Sequence, residues 1–154
     1  MILSYQTIRR LCIEQFMIEP WHERTVISGM SYGLGAASYD FRIKQNLIMP
    51  PHSFMLCSTL EKVNIPNNIA AFVCDKSTWA RKGICVQNTY FDPGFQGYPT
   101  IELTNHTNHV VTIVEGDPIC QFVFMMLDQA TEKPYQGKYQ YQEDKPVEAK
   151  NESN

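Results

Sequence analysis

From Ser38 onward the chain is a succession of short apolar runs cut apart by turn residues. Tyr39-Asp40-Phe41-Arg42-Ile43 alternates apolar and polar side chains, the period of a half-buried strand. Ser53 to Cys57, Ile69 to Cys74, Ile84 to Val86, Thr100 to Thr104, Val110 to Ile113 and Ile119 to Met125 are further short runs, with Pro50-Pro51 and Pro66-Asn67-Asn68 among the separators. Many short strands with frequent turns predict a mainly β domain, an antiparallel barrel or sandwich. The N-terminus differs. Ser4 is placed to cap a short helix that carries Ile8, Leu11, Cys12 and Gln15 on one face. The Ser- and Gly-rich stretch from Thr25 to Ala37 reads as loop. After Tyr141 the chain is polar and lacks aromatics. The folded domain is therefore expected over residues 1–142, with 143–154 a tail that is disordered or ordered only against a partner.

Composition narrows the function classes. A chain of 154 residues, 44% hydrophobic and 19% charged, suits one domain with its own core. No apolar run is long enough to span a bilayer, and Met1 to Gln6 lacks the basic start and apolar core of a secretory signal. The expected location is the cytoplasm, with no membrane partner. A net charge of −3 argues against broad binding to nucleic acid, so none is expected. The five cysteines are odd in number, show no Cys-x-x-Cys spacing and sit mostly in apolar surroundings. They read as buried free thiols in a reducing compartment.

Chemistry is concentrated between Asp75 and Asn105. In Asp75-Lys76-Ser77-Thr78-Trp79-Ala80-Arg81-Lys82-Gly83 a helical turn would put Ser77 and Arg81 on one face. A hydroxyl and a guanidinium beside exposed backbone N–H groups suit a phosphate or a polarised carbonyl, and equally suit a solvated surface turn. Phe91-Asp92-Pro93-Gly94-Phe95-Gln96-Gly97 is a tight turn, either a plain hairpin loop or a rigid edge for a substrate. On a strand from Thr100 to Asn105, Glu102 faces away from Ile101 and Leu103. There it is a surface carboxylate if that face is wet and a candidate general base if it lines a cleft. Tyr135, Lys138, Tyr139 and Gln142 interleave aromatics, an amide and a cation near the C-terminus, as a surface tail or a lid. The His-x-Glu and Pro-Cys-x-x-Cys of zinc deaminases do not occur, and His22, His52, His106 and His109 have no supporting ligand spacing. There is no Walker loop and no Gly-x-Ser-x-Gly.

Taken in order, Lys76-Ser77-Thr78-Trp79-Ala80-Arg81-Lys82-Gly83, Asp92-Pro93-Gly94-Phe95-Gln96-Gly97, Ile101-Glu102-Leu103, then Tyr135 and Lys138-Tyr139-x-x-Gln142 resemble dCTP deaminase. That family shares a fold superfamily with the trimeric dUTPases. The resemblance extends to Met1-Ile2-Leu3-Ser4, Tyr39 to Ile43 and Gly116-Asp117-Pro118-Ile119-Cys120-Gln121. It implies a distorted antiparallel β barrel, the dUTPase-like jelly-roll, assembled as a homotrimer with active sites between subunits. It also implies Mg²⁺ bound through the nucleotide triphosphate, no zinc and no metal-ligating protein side chain. The implied reaction is hydrolytic deamination of dCTP to dUTP and ammonia. Glu102 would be the general base, with Ser77 and Arg81 positioning the water and stabilising charge. Asp92 would lie near the deoxyribose 3′-hydroxyl. Lys76, Gln96, Tyr135, Lys138 and Gln142 complete the implied substrate-binding set. The alternatives are a bifunctional enzyme that also splits dUTP to dUMP and pyrophosphate, a plain dUTPase, and a non-catalytic nucleotide-binding regulator. Besides dCTP, dUTP or dTTP are candidate ligands.

Overall fold

A computed structural model describes residues 1–152. Helix α1 (Tyr5–Gln15) precedes a series of short strands: β1 (Ile18–Glu19), β2 (Thr25–Ile27), β3 (Met30–Leu34), β4 (Tyr39–Arg42), β5 (Leu47–Met49), β6 (Phe54–Ser58), β7 (Lys62–Asn64) and β8 (Ile69–Asp75). A one-turn helix α2 (Ser77–Ala80) leads to β9 (Ile84–Val86), β10 (Tyr90–Phe91), β11 (Gln96–Gly97), β12 (Thr100–Asn105), β13 (Val111–Ile113) and β14 (Pro118–Met126). The expected mainly β architecture is present in a distorted form. The strands form four sheets, ordered β10-β8-β14-β4-β3-β2, β6-β12-β9, β1-β7-β11 and β13-β5, and these do not close into one continuous barrel. Prolines beside the strand ends (Pro50, Pro66, Pro93, Pro99) have no N–H to give a ladder, which keeps the strands short.

The core lies where β14, the longest strand, meets β4 and β8. Tyr39, Phe41, Phe122 and Phe124 are fully buried. Phe41 and Phe122 approach to 4.3 Å between ring centroids, and Phe91 carries the cluster on to Phe95. Burying each such side chain contributes about 1.5–3 kcal/mol. Two ion pairs are drawn into the packing: Arg42 Nε to Glu61 Oε1 at 2.7 Å, and Lys76 Nζ to Asp40 Oδ2 at 2.6 Å.

Two local expectations are corrected. Thr25 to Ala37 is not a loop but holds the hairpin β2–β3, in which Ile27 pairs with Met30 across a two-residue turn. Ser28 and Gly29 take φ of 50° and 73°, the left-handed pair such a tight hairpin needs. The Ser-Gly composition thus marked a turn inside a hairpin rather than an absence of structure. Ser4 does occupy the cap position of α1, yet its side chain makes no capping hydrogen bond. The helix is held instead by burial of Ile8, Leu11 and Cys12, while Gln15 is exposed. Among the described residues no helix is long and apolar enough to cross a membrane.

Candidate active site

Glu102 stands in the middle of β12 between Ile101 and Leu103, both buried in the core. Alternation turns its side chain to the opposite face, where Leu56 of β6 is its direct partner. That face lines a cavity of about 450 Å³. Its lining draws Phe54 and Leu56 from β6, Tyr90 and Phe91 from β10, Phe95 from the turn that follows, and Tyr135 and Tyr139 from the C-terminal segment. The polar groups converging on this largely apolar space include Glu102, Asp92, Glu148, Thr89, Thr100 and Gln142, the usual make-up of a small-molecule site. Thr89 Oγ1 donates to Glu102 Oε2 at 3.1 Å.

The C-terminal segment is tied to this cavity from two sides. Gln142 forms a bridge with Gly97, and its Oε1 accepts from Thr100 Oγ1 at 3.1 Å. The main chain of Gln96 receives Tyr141 N on its carbonyl and gives its N–H to Gln140 Oε1, which ties the segment to β11. Tyr135 packs on Phe95 and accepts Tyr139 N on its hydroxyl. Beyond Gln142, residues Val147, Glu148 and Ala149 also line the cavity. Val147 N donates to Thr100 Oγ1, and Lys150 N to the Tyr139 hydroxyl.

Of the residues picked out in the sequence, Glu102, Asp92, Tyr135 and Gln142 therefore share one cavity. Lys76, Ser77 and Arg81 lie elsewhere, at α2. Ser77 and Arg81 are exposed and one turn apart, with Arg81 N bonded to Ser77 O at 3.0 Å. Lys76 points inward to Asp40 and Ser31. Lys138 lies over the ring of Tyr139 and 3.5 Å from Glu152, outside the cavity lining. Sequence reasoning missed Phe54, Leu56 and the tail residues and gave Thr89 no role in the site, because strand register and chain return bring them in. The charged groups that line the cavity, Asp92, Glu102 and Glu148, are all acids. Burial, with the charge of Glu102 adding to it, pushes the nearby Cys57 thiol up to about 12. Among the described residues no three His, Cys, Asp or Glu side chains gather as a potential metal site.

Residues 36–127 match a family model described as dCTP deaminase-like. A dCTP deaminase of Campylobacter concisus is 36% identical over 169 aligned positions, covering 88% of this chain and 91% of its own. One from Campylobacter fetus is 36% identical over 173, covering 91% and 93%. One from Pelagibacter ubique is 34% identical over 172, covering 90% and 93%. Among solved structures, a mutant dUTPase of S. aureus phage phi11 is similar with a TM-score of 0.58 at 16% identity, over 77% of this chain and 92% of that one. The EIAV dUTPase is similar with a TM-score of 0.55 at 20% identity, over 66% and 85%. At such identities the two structures speak for the fold alone.

Proposed function

The chain belongs to the dCTP deaminase family, and on that premise we propose that it hydrolyses dCTP to dUTP and ammonia without zinc, among the pyrimidine deoxynucleotides of the cytoplasm. The observation that carries this reading is Glu102: a carboxylate fixed in mid-strand, aimed into an apolar-walled cavity of about 450 Å³. Glu102 takes a proton from a water whose oxygen attacks C4 of the cytosine ring. It passes that proton to N3, giving a tetrahedral carbon. The remaining hydroxyl proton then moves by way of Glu102 to the amino group, the C4–N bond breaks, and ammonia leaves with Glu102 again ionised. Asp92 faces the deoxyribose, Tyr135 and Gln142 close on base and phosphates, and Lys138, outside the cavity lining, reaches the phosphates on leaving Glu152, with Gln96 holding that segment.

Charge supports an assembly with sites between subunits, as a homotrimer. A cavity whose charged lining groups are all acids repels a triphosphate. Ser77 and Arg81 are exposed on the same chain but outside the cavity, and in such an assembly would serve a neighbour's Glu102 by orienting the water and balancing developing charge. Ile48, Val110 and Val114 are exposed apolar side chains of the kind an interface covers. A Mg²⁺ would take its oxygens from the phosphates and water and neutralise phosphate charge.

One assay tests the reading. The protein is incubated with Mg²⁺ and either dCTP or dUTP, and products are resolved by ion exchange. dUTP and ammonia from dCTP are expected. Turnover of dUTP without turnover of dCTP would overturn the proposal in favour of a plain dUTPase, and binding without any turnover in favour of a regulator. A second reading, a bifunctional enzyme, draws on the exposed carboxylate of Asp92 in the same cavity, which would orient a second water towards the α-phosphate. Its signature is dUMP and pyrophosphate from dCTP.

A further inference from the structure

We propose that Thr89 is a positioning residue for Glu102: its hydroxyl occupies one carboxylate oxygen and leaves the other as the one that exchanges protons with water and base. The inference rests on the deaminase reading and deepens it. The contact is direct, Thr89 Oγ1 to Glu102 Oε2 at 3.1 Å, and both residues line the same cavity.

Thr89 is itself held firmly. Its N–H donates to Gln87 O at 2.8 Å, and its carbonyl accepts Val73 N of β8 at 3.0 Å. Gln87 N in turn donates to the backbone carbonyl of Glu102 at 3.0 Å. The segment between β9 and β10 is therefore pinned to β8 on one side and to Glu102 itself on the other. Threonine's β-branched side chain has few rotamers once its backbone is fixed. The hydroxyl is thus a fixed point, set against a glutamate whose rotatable bonds would otherwise let the carboxylate swing in a cavity with an apolar wall at Leu56.

The arrangement suits a proton shuttle. With Oε2 accepting from Thr89, Oε1 has no hydrogen-bond partner among the described residues and can take the water proton. When that proton arrives, Oε2 still accepts the hydroxyl hydrogen bond, so the carboxyl group need not rotate between taking a proton and giving it up. Thr89 touches Glu102 rather than the reacting atoms, which is why its effect should fall on kcat and not on binding.

The test uses the full chain with dCTP. Thr89→Val keeps the shape and removes the hydroxyl. Its kcat should fall about 10- to 100-fold, the loss of one hydrogen bond to a charged group, with KM changed less than about twofold. Thr89→Ser should stay within about threefold of the parent, since it restores the donor. In a Glu102→Gln background, Thr89→Val should cost nothing further, because the two residues act as a unit. Melting curves check the fold of each variant, and Thr89→Ala replaces Thr89→Val should that one not fold. An active parent with normal kcat in Thr89→Val, or a Thr89→Ser no better than Thr89→Val, overturns this inference alone. A parent that releases no ammonia from dCTP overturns the deaminase reading and this inference together.

Discussion

At the scale of single residues, Glu102 shows how far alternation reaches. Ile101 and Leu103 are visibly the buried pair, so the sequence says that Glu102 faces the other way. What that face meets is decided by Leu56, brought opposite by strand register, and by Thr89, brought by the fold of the segment before β10, and neither contact can be read from the sequence. If Glu102 is the general base, Glu102→Gln should lower dCTP turnover by about 10²- to 10⁴-fold and leave the thermal melt close to the parent's. Turnover at the parental rate would remove Glu102 from the mechanism. Lys76 gives the contrasting lesson. A lysine beside Ser77 invites a phosphate, but its ammonium is buried against Asp40. Asp40→Asn should therefore destabilise the fold by about 3–5 kcal/mol by leaving a buried charge without its partner, read as a lower urea midpoint. The thiols were readable as buried from their apolar neighbours, and three are: Cys12, Cys57 and Cys120. Burial pushes Cys12 and Cys57 up to about 12 and Cys120 well above its usual value, whereas Cys74 and Cys85 are only half-buried. A disulfide reagent near neutral pH should label Cys74 and Cys85 in the native protein and reach the other three only after denaturation. Early labelling of Cys57 would contradict the packing described.

At the scale of elements, about half of the strands were legible and their pairing was not. β4, β8, β12 and β14 announce themselves as apolar runs, whereas β2 and β3 hide in a stretch of Ser and Gly whose turn residues look like loop. The C-terminal segment was legible only as a cluster of aromatics and amides. What fixes it is β11. Gly97 has φ of 143°, and a Cβ there would stand 2.6 Å from Gln142 N. Gln96 O also receives Tyr141 N at 2.7 Å. Gly97→Ala should therefore push Gln142 and its neighbours off the cavity rim while the core, formed by other strands, stays folded. The expected outcome is a several-fold rise in KM for dCTP with little change in melting temperature. An unchanged KM would mean that the segment's seat on β11 is not needed for substrate.

At the scale of the whole molecule, one chain has built a cavity that its own charges make inhospitable to a nucleotide. The sequence could supply the motifs but not their separation: Arg81 and Glu102 are near in sequence, yet α2 sits outside the cavity that Glu102 lines. The division suggests a test that needs no structure of the assembly. Glu102→Gln and Arg81→Ala chains should each be inactive alone. If a site combines Glu102 of one copy with Arg81 of the next, trimers reassembled from an equal mixture contain sites in which an Arg81→Ala chain contributes an intact Glu102 and a Glu102→Gln chain contributes an intact Arg81. Random mixing around a threefold ring gives such sites at about one in four, so the mixture should regain about a quarter of parental activity. The reassembled particle's mass, measured by light scattering, confirms that copies have exchanged. A fully exchanged mixture that stays inactive would mean that Arg81 serves Glu102 of its own chain, and the gap between α2 and the cavity would then have to close by a movement within one copy.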